Sequence, residues 1–247
     1  RGPSFSNMFK EIVDGVKWAY QTNNDLMVLT SSGSGGMESG IVNFLSPNDK
    51  IVVLNIGAFG SRFVKIAKIY GASVIEIKSE RGQAADLSKL QETLSSDKNS
   101  EIKAVLFQHN ETSTGVLNDV KKISEIVSRH GALTIVDAVS GLLTAPLKTD
   151  EWGLDVVISG SQKAFMVPPG LAFISVSKKA WAAHEIAKMP RFYFDLTAAN
   201  KFAEKGETPF TPALSVIYAM QESVRMLRSE GLQNIYARHE SMSKAAR

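Results

Sequence analysis

Apolar residues recur along this chain in two alternating rhythms. At Phe9, Ile12, Val13, Val16 and Ala19 they keep the spacing of one helix face, which predicts an amphipathic helix over residues 5–20. A short apolar run at 27–29 then reads as a buried strand, and helical spacing returns over 37–45 until Ser46-Pro47-Asn48-Asp49 closes it. The exchange continues with strands at 51–54, 73–77, 104–107 and 133–136 and helices at 61–70, 87–94 and 120–130. Two further apolar runs, 156–158 and 171–176, precede a helix at 178–188, an irregular stretch at 191–211, and helices at 213–228 and 234–247. Such alternation predicts an α/β fold: a mainly parallel, seven-stranded sheet with helices on both faces. Sheets of this kind seat ligands outside the carboxyl ends of their strands, so chemistry is expected in the loops that follow each strand.

The chain has 247 residues, 44% hydrophobic and 21% charged, enough for one large domain or two small ones. Its net charge of +3 comes from scattered basic residues, with no run suited to tracking a nucleic-acid backbone. No apolar stretch reaches the length of a membrane span, and no signal peptide is visible. With no cysteine the chain has neither disulfides nor thiolate metal sites, which agrees with a cytoplasmic location. It begins at Arg1 without methionine and stops at Arg247 inside a helical pattern without a stop signal, as a segment of a longer protein would.

Four post-strand loops carry unusual residues. Ser31-Ser32-Gly33-Ser34-Gly35-Gly36 offers glycines for close backbone approach and free amides at a helix start, a cup for an anion such as phosphate. It lacks the Gly-Lys-Ser/Thr of a Walker loop, and Glu38 stands where a dinucleotide fingerprint needs glycine; Glu38 reads as first-turn helix chemistry. Gly57-Ala58-Phe59-Gly60 places an aromatic ring at a strand end, where it either lies against a flat ligand or joins the core. His109 to Gly115 crowds polar side chains, including Thr112, after another strand. Asp137, directly after 133–136, sets a carboxylate at the sheet edge; without a His or Cys cluster beside it, metal binding is disfavoured.

Ser159-Gly160-Ser161-Gln162-Lys163 follows the run 156–158. A lysine between two core strands is either a surface-loop residue or a buried amine, and burial of an ammonium is costly unless it is neutralised. Neutral lysines at such places form Schiff bases with aldehyde cofactors. An anion cup, a stacking aromatic, a hydroxyl, a carboxylate and a lysine at successive strand ends together meet the needs of pyridoxal 5′-phosphate.

Ser-Gly-Ser-Gly-Gly-Met-Glu at 32–38, His-Asn-Glu-Thr-Ser-Thr-Gly-Val at 109–116, Val-Asp-Ala-Val at 136–139 and Ser-Gly-Ser-Gln-Lys at 159–163 resemble the class V aminotransferases. Within them the motifs look like the alanine–glyoxylate and serine–pyruvate (serine–glyoxylate) group, and the Asp137-to-Lys163 spacing also fits that group. The resemblance implies the fold type I large domain of pyridoxal-phosphate transferases. It implies Lys163 as the Schiff-base lysine and proton carrier, and Asp137 as partner of the pyridinium nitrogen. Phe59, where several relatives carry Trp, and Val139 would flank the ring; Thr112 would hydrogen-bond the phenolate oxygen. Gly33, Ser34, Gly35 and Gln162 would hold the phosphate, and Thr211 would reach the phosphate of a neighbouring subunit in a homodimer with shared active sites.

On that resemblance residues 1–22 lead into the large domain at 23–210, and 211–247 lead toward a C-terminal small domain that these residues lack. That domain would carry the arginine for the substrate carboxylate, and a Gly-Pro-rich substrate loop would precede Arg1. The implied reaction is transamination between alanine or serine and glyoxylate or pyruvate. Alternatives are another class V reaction (aminoethylphosphonate or aspartate transamination, or cysteine desulfuration, for which the chain has no cysteine) or a non-catalytic dimeric scaffold. His109 is placed to abut the cofactor, whereas His130, His184 and His239 lie on helical patterns and read as surface residues. Arg191 to Asp195 either lines the entrance or packs at a domain boundary.

Overall fold

The computed structural model describes residues 2–246. Nine strands occur in chain order: β1 (Asp25–Ser31), β2 (Lys50–Asn55), β3 (Ser73–Lys78), β4 (Ile102–Gln108), β5 (Asn110–Glu111), β6 (Val116–Leu117), β7 (Leu133–Asp137), β8 (Val156–Gly160) and β9 (Gly170–Val176). Strands β5 and β6 form a separate small ribbon. The other seven form one sheet in the order β1-β9-β8-β7-β4-β2-β3, and its only antiparallel pairings are those of β9 with β1 and β8. The helices are α1 (Pro3–Tyr20), α2 (Gly33–Val42), α3 (Ala58–Ile69), α4 (Leu87–Ser96), α5 (Val120–His130), α6 (Lys178–Ile186), α7 (Leu196–Ala203), α8 (Leu214–Glu230) and α9 (Leu232–Ala246). None is long and apolar enough to cross a membrane.

Central strands are buried on both sides, so their sequences are almost wholly apolar and alternate residues enter different layers. Val52, Leu54, Val105, Phe107, Val136 and Val157 join the layer built with α1, α4, α5 and α8. Ile51, Val53, Ala104, Leu106, Ile135 and Ile158 join the layer built with α2, α3, α6 and α7. The same alternation directs the last residues of β2, β4 and β7 (Asn55, Gln108 and Asp137) toward the second layer, beyond its apolar part. All three are buried. A polar row therefore closes the carboxyl edge of the sheet beneath the starts of α2 and α3.

All seven expected sheet strands are present, each a little longer than its apolar run. The helix boundaries differ more. Helix α2 starts at Gly33 rather than 37 and ends at Val42, and α3 starts at Ala58 rather than 61. In both cases glycines that read as loop form the first turn. Helix α7 lies inside the stretch expected to be irregular. Its signal was available: the Asp195 carboxylate accepts from the amides of Thr197 and Ala198, and Leu196 and Ala199 supply the buried face.

Helices α1 and α8 meet at a glycine. A Cβ on Gly15 would lie 2.1 Å from Val224 Cγ1, so the backbone of α1 is in contact with a stiff β-branched side chain. Gly15→Val should cost about 2 kcal/mol through overpacking, read as a lower urea midpoint at unchanged slope. Adding Val224→Ala should recover part of that loss. An unchanged midpoint in Gly15→Val would mean that the two helices do not approach this closely.

Candidate active site

Two helices begin at the carboxyl edge of the sheet, and their first turns are treated differently. Helix α2 follows β1 through the N-cap Ser32, which makes no side-chain cap. The first intrahelical bond is from the Gly36 amide to the Ser32 carbonyl at 3.1 Å, so the amides of Gly33, Ser34 and Gly35 are open. The turn is narrow. A Cβ on Gly33 would lie 2.7 Å from Val139 Cγ2, and one on Gly35 would lie 2.0 Å from Ser31 Oγ and 2.8 Å from Phe194 Cζ.

Helix α3 is capped instead. The Ala58 amide donates to Ser113 Oγ (3.1 Å), and those of Phe59 and Gly60 donate to Glu111 Oε2 (3.0 and 3.2 Å). Glu111 is fully buried, and its other oxygen accepts from the Ser113 amide and hydroxyl. The polar 109–115 loop thus spends two of its side chains on fixing the start of α3, and with it Phe59. Thr112 is exposed and donates to Ser140 Oγ at 2.8 Å, which in turn donates to the Asn110 carbonyl.

Sequence motifs gave no sign of Arg62. From α3 its Nη1 donates to Ser34 Oγ at 2.6 Å, and its guanidinium carbon stands 4.5 Å from the centre of the Phe59 ring. One residue therefore links the open turn of α2 to the aromatic on α3.

Asp137 is 3% exposed, and one carboxylate oxygen accepts from the Val139 amide at 2.9 Å. Burial raises its pKa to about 6 against the lowering effect of that amide; Glu111 adds to the rise, while the charges of Arg62 and Lys163 oppose it. Beside it on β4, Gln108 is the register partner of Asp137 and is fully buried, with neither amide atom hydrogen-bonded within the described residues. His109 is also buried; burial alone depresses its pKa to about 4, and its Nδ1 has no partner among the described residues.

Of the two readings open for Lys163, a surface-loop residue and a buried amine, the structure shows an exposed side chain. Strand β8 ends at Gly160, so Lys163 stands three residues beyond the sheet with no core above it. Its loop is nonetheless well anchored. Ser161 Oγ donates to the Pro168 carbonyl at 2.7 Å, and Phe165 packs edge-on against Phe173 with ring centres 5.2 Å apart. The Gln162 side-chain amide is unengaged, and its Oε1 is buried. That oxygen lies near the α2 turn, since a Cβ on Gly160 would be 2.9 Å from it and 3.5 Å from the Gly33 nitrogen.

Gly33 lies against Val139 and near the Gln162 side chain, Arg62 links Ser34 to Phe59, and Asp137 feels the charges of Arg62 and Lys163, so these residues gather at one edge of the sheet. Thr112 is tied to Ser140, the neighbour of Val139. Thr211 is exposed, and among the described residues its only hydrogen bond is a carbonyl accepting from the Thr30 hydroxyl at 3.5 Å. No bond connects it to the other predicted residues.

Three lesser expectations change. Glu38 lies in the second turn of α2, where it accepts from the Tyr70 hydroxyl at 2.7 Å. His184 is buried between the Asn43 carbonyl and the Thr197 hydroxyl, and His130 pairs with Asp97 at 3.1 Å. Both face neighbouring elements because their helices are covered on that side. Residues 191–195 buttress α2: the Phe194 carbonyl accepts from Ser39 and Asn43, and Arg191 donates to the Val42 carbonyl.

The family described as aminotransferase class-V matches residues 2–247. The chain is 46% identical over 248 residues to the soluble hydrogenase 42 kDa subunit of Anabaena cylindrica, covering all of this chain and 65% of that protein. It is 36% identical over 251 residues to the L-aspartate–glyoxylate aminotransferase of Paracoccus denitrificans, covering all of this chain and 63% of that enzyme. The crystal structure of the alanine–glyoxylate aminotransferase of Nostoc sp. superposes with a TM-score of 0.93 at 28% identity, over 99% of this chain and 65% of that one. The chain thus spans about two-thirds of the length of these proteins, and the fold type I architecture expected from the motifs is present.

The two perturbed groups set opposite pH dependences. Between about 6.5 and 4, the unfolded chain protonates its histidine before the folded chain does, so the His109 contribution to stability falls as pH falls. Between about 6 and 3.8, the folded chain protonates Asp137 before the unfolded chain does, so that contribution rises as pH falls. Asp137→Asn should therefore lose stability on acidification from pH 6.5 to 4 more steeply than the parent, by about 2 kcal/mol, and His109→Gln less steeply. Urea midpoints measured across that range check it; parallel profiles for all three proteins would contradict it.

Proposed function

The chain belongs to the aminotransferase class-V family, and from that premise we propose that its crevice binds pyridoxal 5′-phosphate and transfers an amino group from alanine or serine to glyoxylate or pyruvate. The observation that supports this reading most is an open helix start, a buried carboxylate and a lysine whose charge that carboxylate feels, all at the carboxyl edge of the sheet, while the adjacent helix start is closed by Glu111. The donor set fits the cofactor: three free amides and an unengaged Gln162 amide suit a phosphate ester. Asp137 accepts one hydrogen bond, which leaves its second oxygen for a protonated ring nitrogen.

When bound, pyridoxal phosphate supplies an aldehyde that condenses with amines and a ring that accepts an electron pair from the substrate α carbon. Gly33, Ser34, Gly35 and Gln162 would hold the phosphate. Phe59 and Val139 would flank the ring, and the Thr112 hydroxyl, released from Ser140, would donate to the phenolate oxygen. A cationic ring nitrogen would lower the pKa of Asp137 and keep the carboxylate ionised at neutral pH, holding the proton on that nitrogen. Lys163 would hold the cofactor's aldehyde end, and its Nζ is the group that would carry a proton at the donor's α carbon.

The names of two relatives share glyoxylate and differ in the amino donor, aspartate in one and alanine in the other, which favours glyoxylate as acceptor. The hydrogenase name stays with its own protein; the residues gathered in this crevice suit amino transfer. A cytoplasmic homodimer with shared sites, in which Thr211 reaches the phosphate of a second subunit, completes the proposal.

The whole protein carrying this chain, loaded with pyridoxal phosphate, should absorb near the edge of the visible range. Alanine or serine should bleach that band and glyoxylate restore it. Lys163→Ala should abolish the band and lower amino transfer by at least about 10³-fold. Retention of the band in Lys163→Ala, or no bleaching by any amino acid tried, would overturn the reading.

A further inference from the structure

Arg62 poses an electrostatic problem that the crevice alone does not solve. It is half-buried, yet none of the ion pairs of the described residues includes it. Its hydrogen bond ends on Ser34, in the first turn of α2, where the helix itself presents about half a positive charge. Lys163 adds a further cation to the same crevice.

Two carboxylates lie close by, and neither forms a direct ion pair with this group. Glu111 is committed to the start of α3 and to Ser113. Asp137 is engaged by the Val139 amide and makes no hydrogen bond to Arg62. Guanidinium, helix end and ammonium thus share the field of one buried carboxylate, Asp137, which feels both side-chain cations without hydrogen-bonding to Arg62. Among the described residues the guanidinium fork and the α2 turn have no anion in direct contact. A guanidinium has five N–H donors in a rigid fork suited to phosphate, and this one spends a single hydrogen bond on Ser34.

We propose that Arg62 is the counter-ion for the phosphate ester of the cofactor, and that it makes the crevice prefer phosphorylated over unphosphorylated pyridoxal compounds. The inference rests on the cofactor reading above and deepens it. Arg62 joins the phosphate-binding set from α3, while Gly33, Ser34 and Gly35 contribute from α2 and Gln162 from the loop after β8. Its contact with Phe59 places charge recognition and ring stacking on one helix, so both ends of the ligand are read by elements that Glu111 holds in position.

The test uses pyridoxine 5′-phosphate and pyridoxine, which lack the aldehyde and so bind without the Lys163 reaction. Equilibrium dialysis of the whole protein against each compound should show that Arg62→Gln weakens binding of the phosphate ester at least about tenfold. Binding of pyridoxine should stay within about twofold, because no charged group is lost from its contacts. Arg62→Lys keeps the charge without the fork and should fall between parent and Arg62→Gln for the ester alone. It also decides the matter if Arg62→Gln does not fold. Equal weakening of both compounds would assign Arg62 a packing role through Phe59 and overturn the proposal, as would unchanged binding of the ester. A parent protein that develops the Lys163-dependent band while Arg62→Gln binds the ester normally would overturn this inference and spare the cofactor reading. A parent protein that takes up no pyridoxal phosphate would overturn both.

Discussion

Glu111 is fully buried, and its two oxygens accept four hydrogen bonds, two of them from the amides that begin α3. That carboxylate does the work an anion would otherwise do at this helix start, and the Ser113 hydroxyl takes a third amide. A few ångströms of chain thus determine which of two neighbouring helix ends remains free. Helix α2, with an N-cap that makes no side-chain bond and a first turn of Gly-Ser-Gly, is left open. Phe59 and Arg62 owe their positions to the same cap, because both ride on the first two turns of α3. Without Glu111 the ring, the guanidinium and the open turn would have no fixed relation to one another.

Opposing influences act on the charges around that arrangement. Burial pushes Asp137 toward its neutral form, and the cations Arg62 and Lys163 pull it back. Gln108, the register partner of Asp137, extends the buried polar floor without satisfying its own amide. Polar groups held this way cost stability in isolation and are retained where a ligand or a reaction uses them. The sheet can bear the cost because its two apolar layers fill both faces of the central strands.

Much of this was legible from the sequence, and the reasons are physical. Strands such as 51–54 and 133–136 are buried on both faces, so an unbroken apolar run marks them and the residue that follows marks the sheet edge. Asp137 and Lys163 were singled out as candidates that way, as was the glycine cup. The errors came where one residue type serves two purposes. Glycines at 33–36 and 57–60 read as loop because glycine is poor in helix interiors, yet in these first turns close packing against Val139, Phe194 and Asn55 requires them. The exposure of Lys163 could not be read, because it depends on how far β8 runs before the chain turns. Arg62 and Glu111 carried no local signal. Their roles come from partners 28 and 51–52 positions away in sequence, which only the folded topology brings together.

The central claim is that Lys163, among the chain's many lysines, is the amine that meets an aldehyde cofactor in this crevice. The most direct measurement is borohydride reduction of the whole protein after incubation with stoichiometric pyridoxal 5′-phosphate, followed by peptide mass spectrometry. Reduction turns a Schiff base into a stable secondary amine and so records where the aldehyde was attached. The account predicts one reduced adduct, on the peptide that contains Ser161-Gln162-Lys163. An absence of adduct, or one spread over exposed lysines without preference for Lys163, would contradict it.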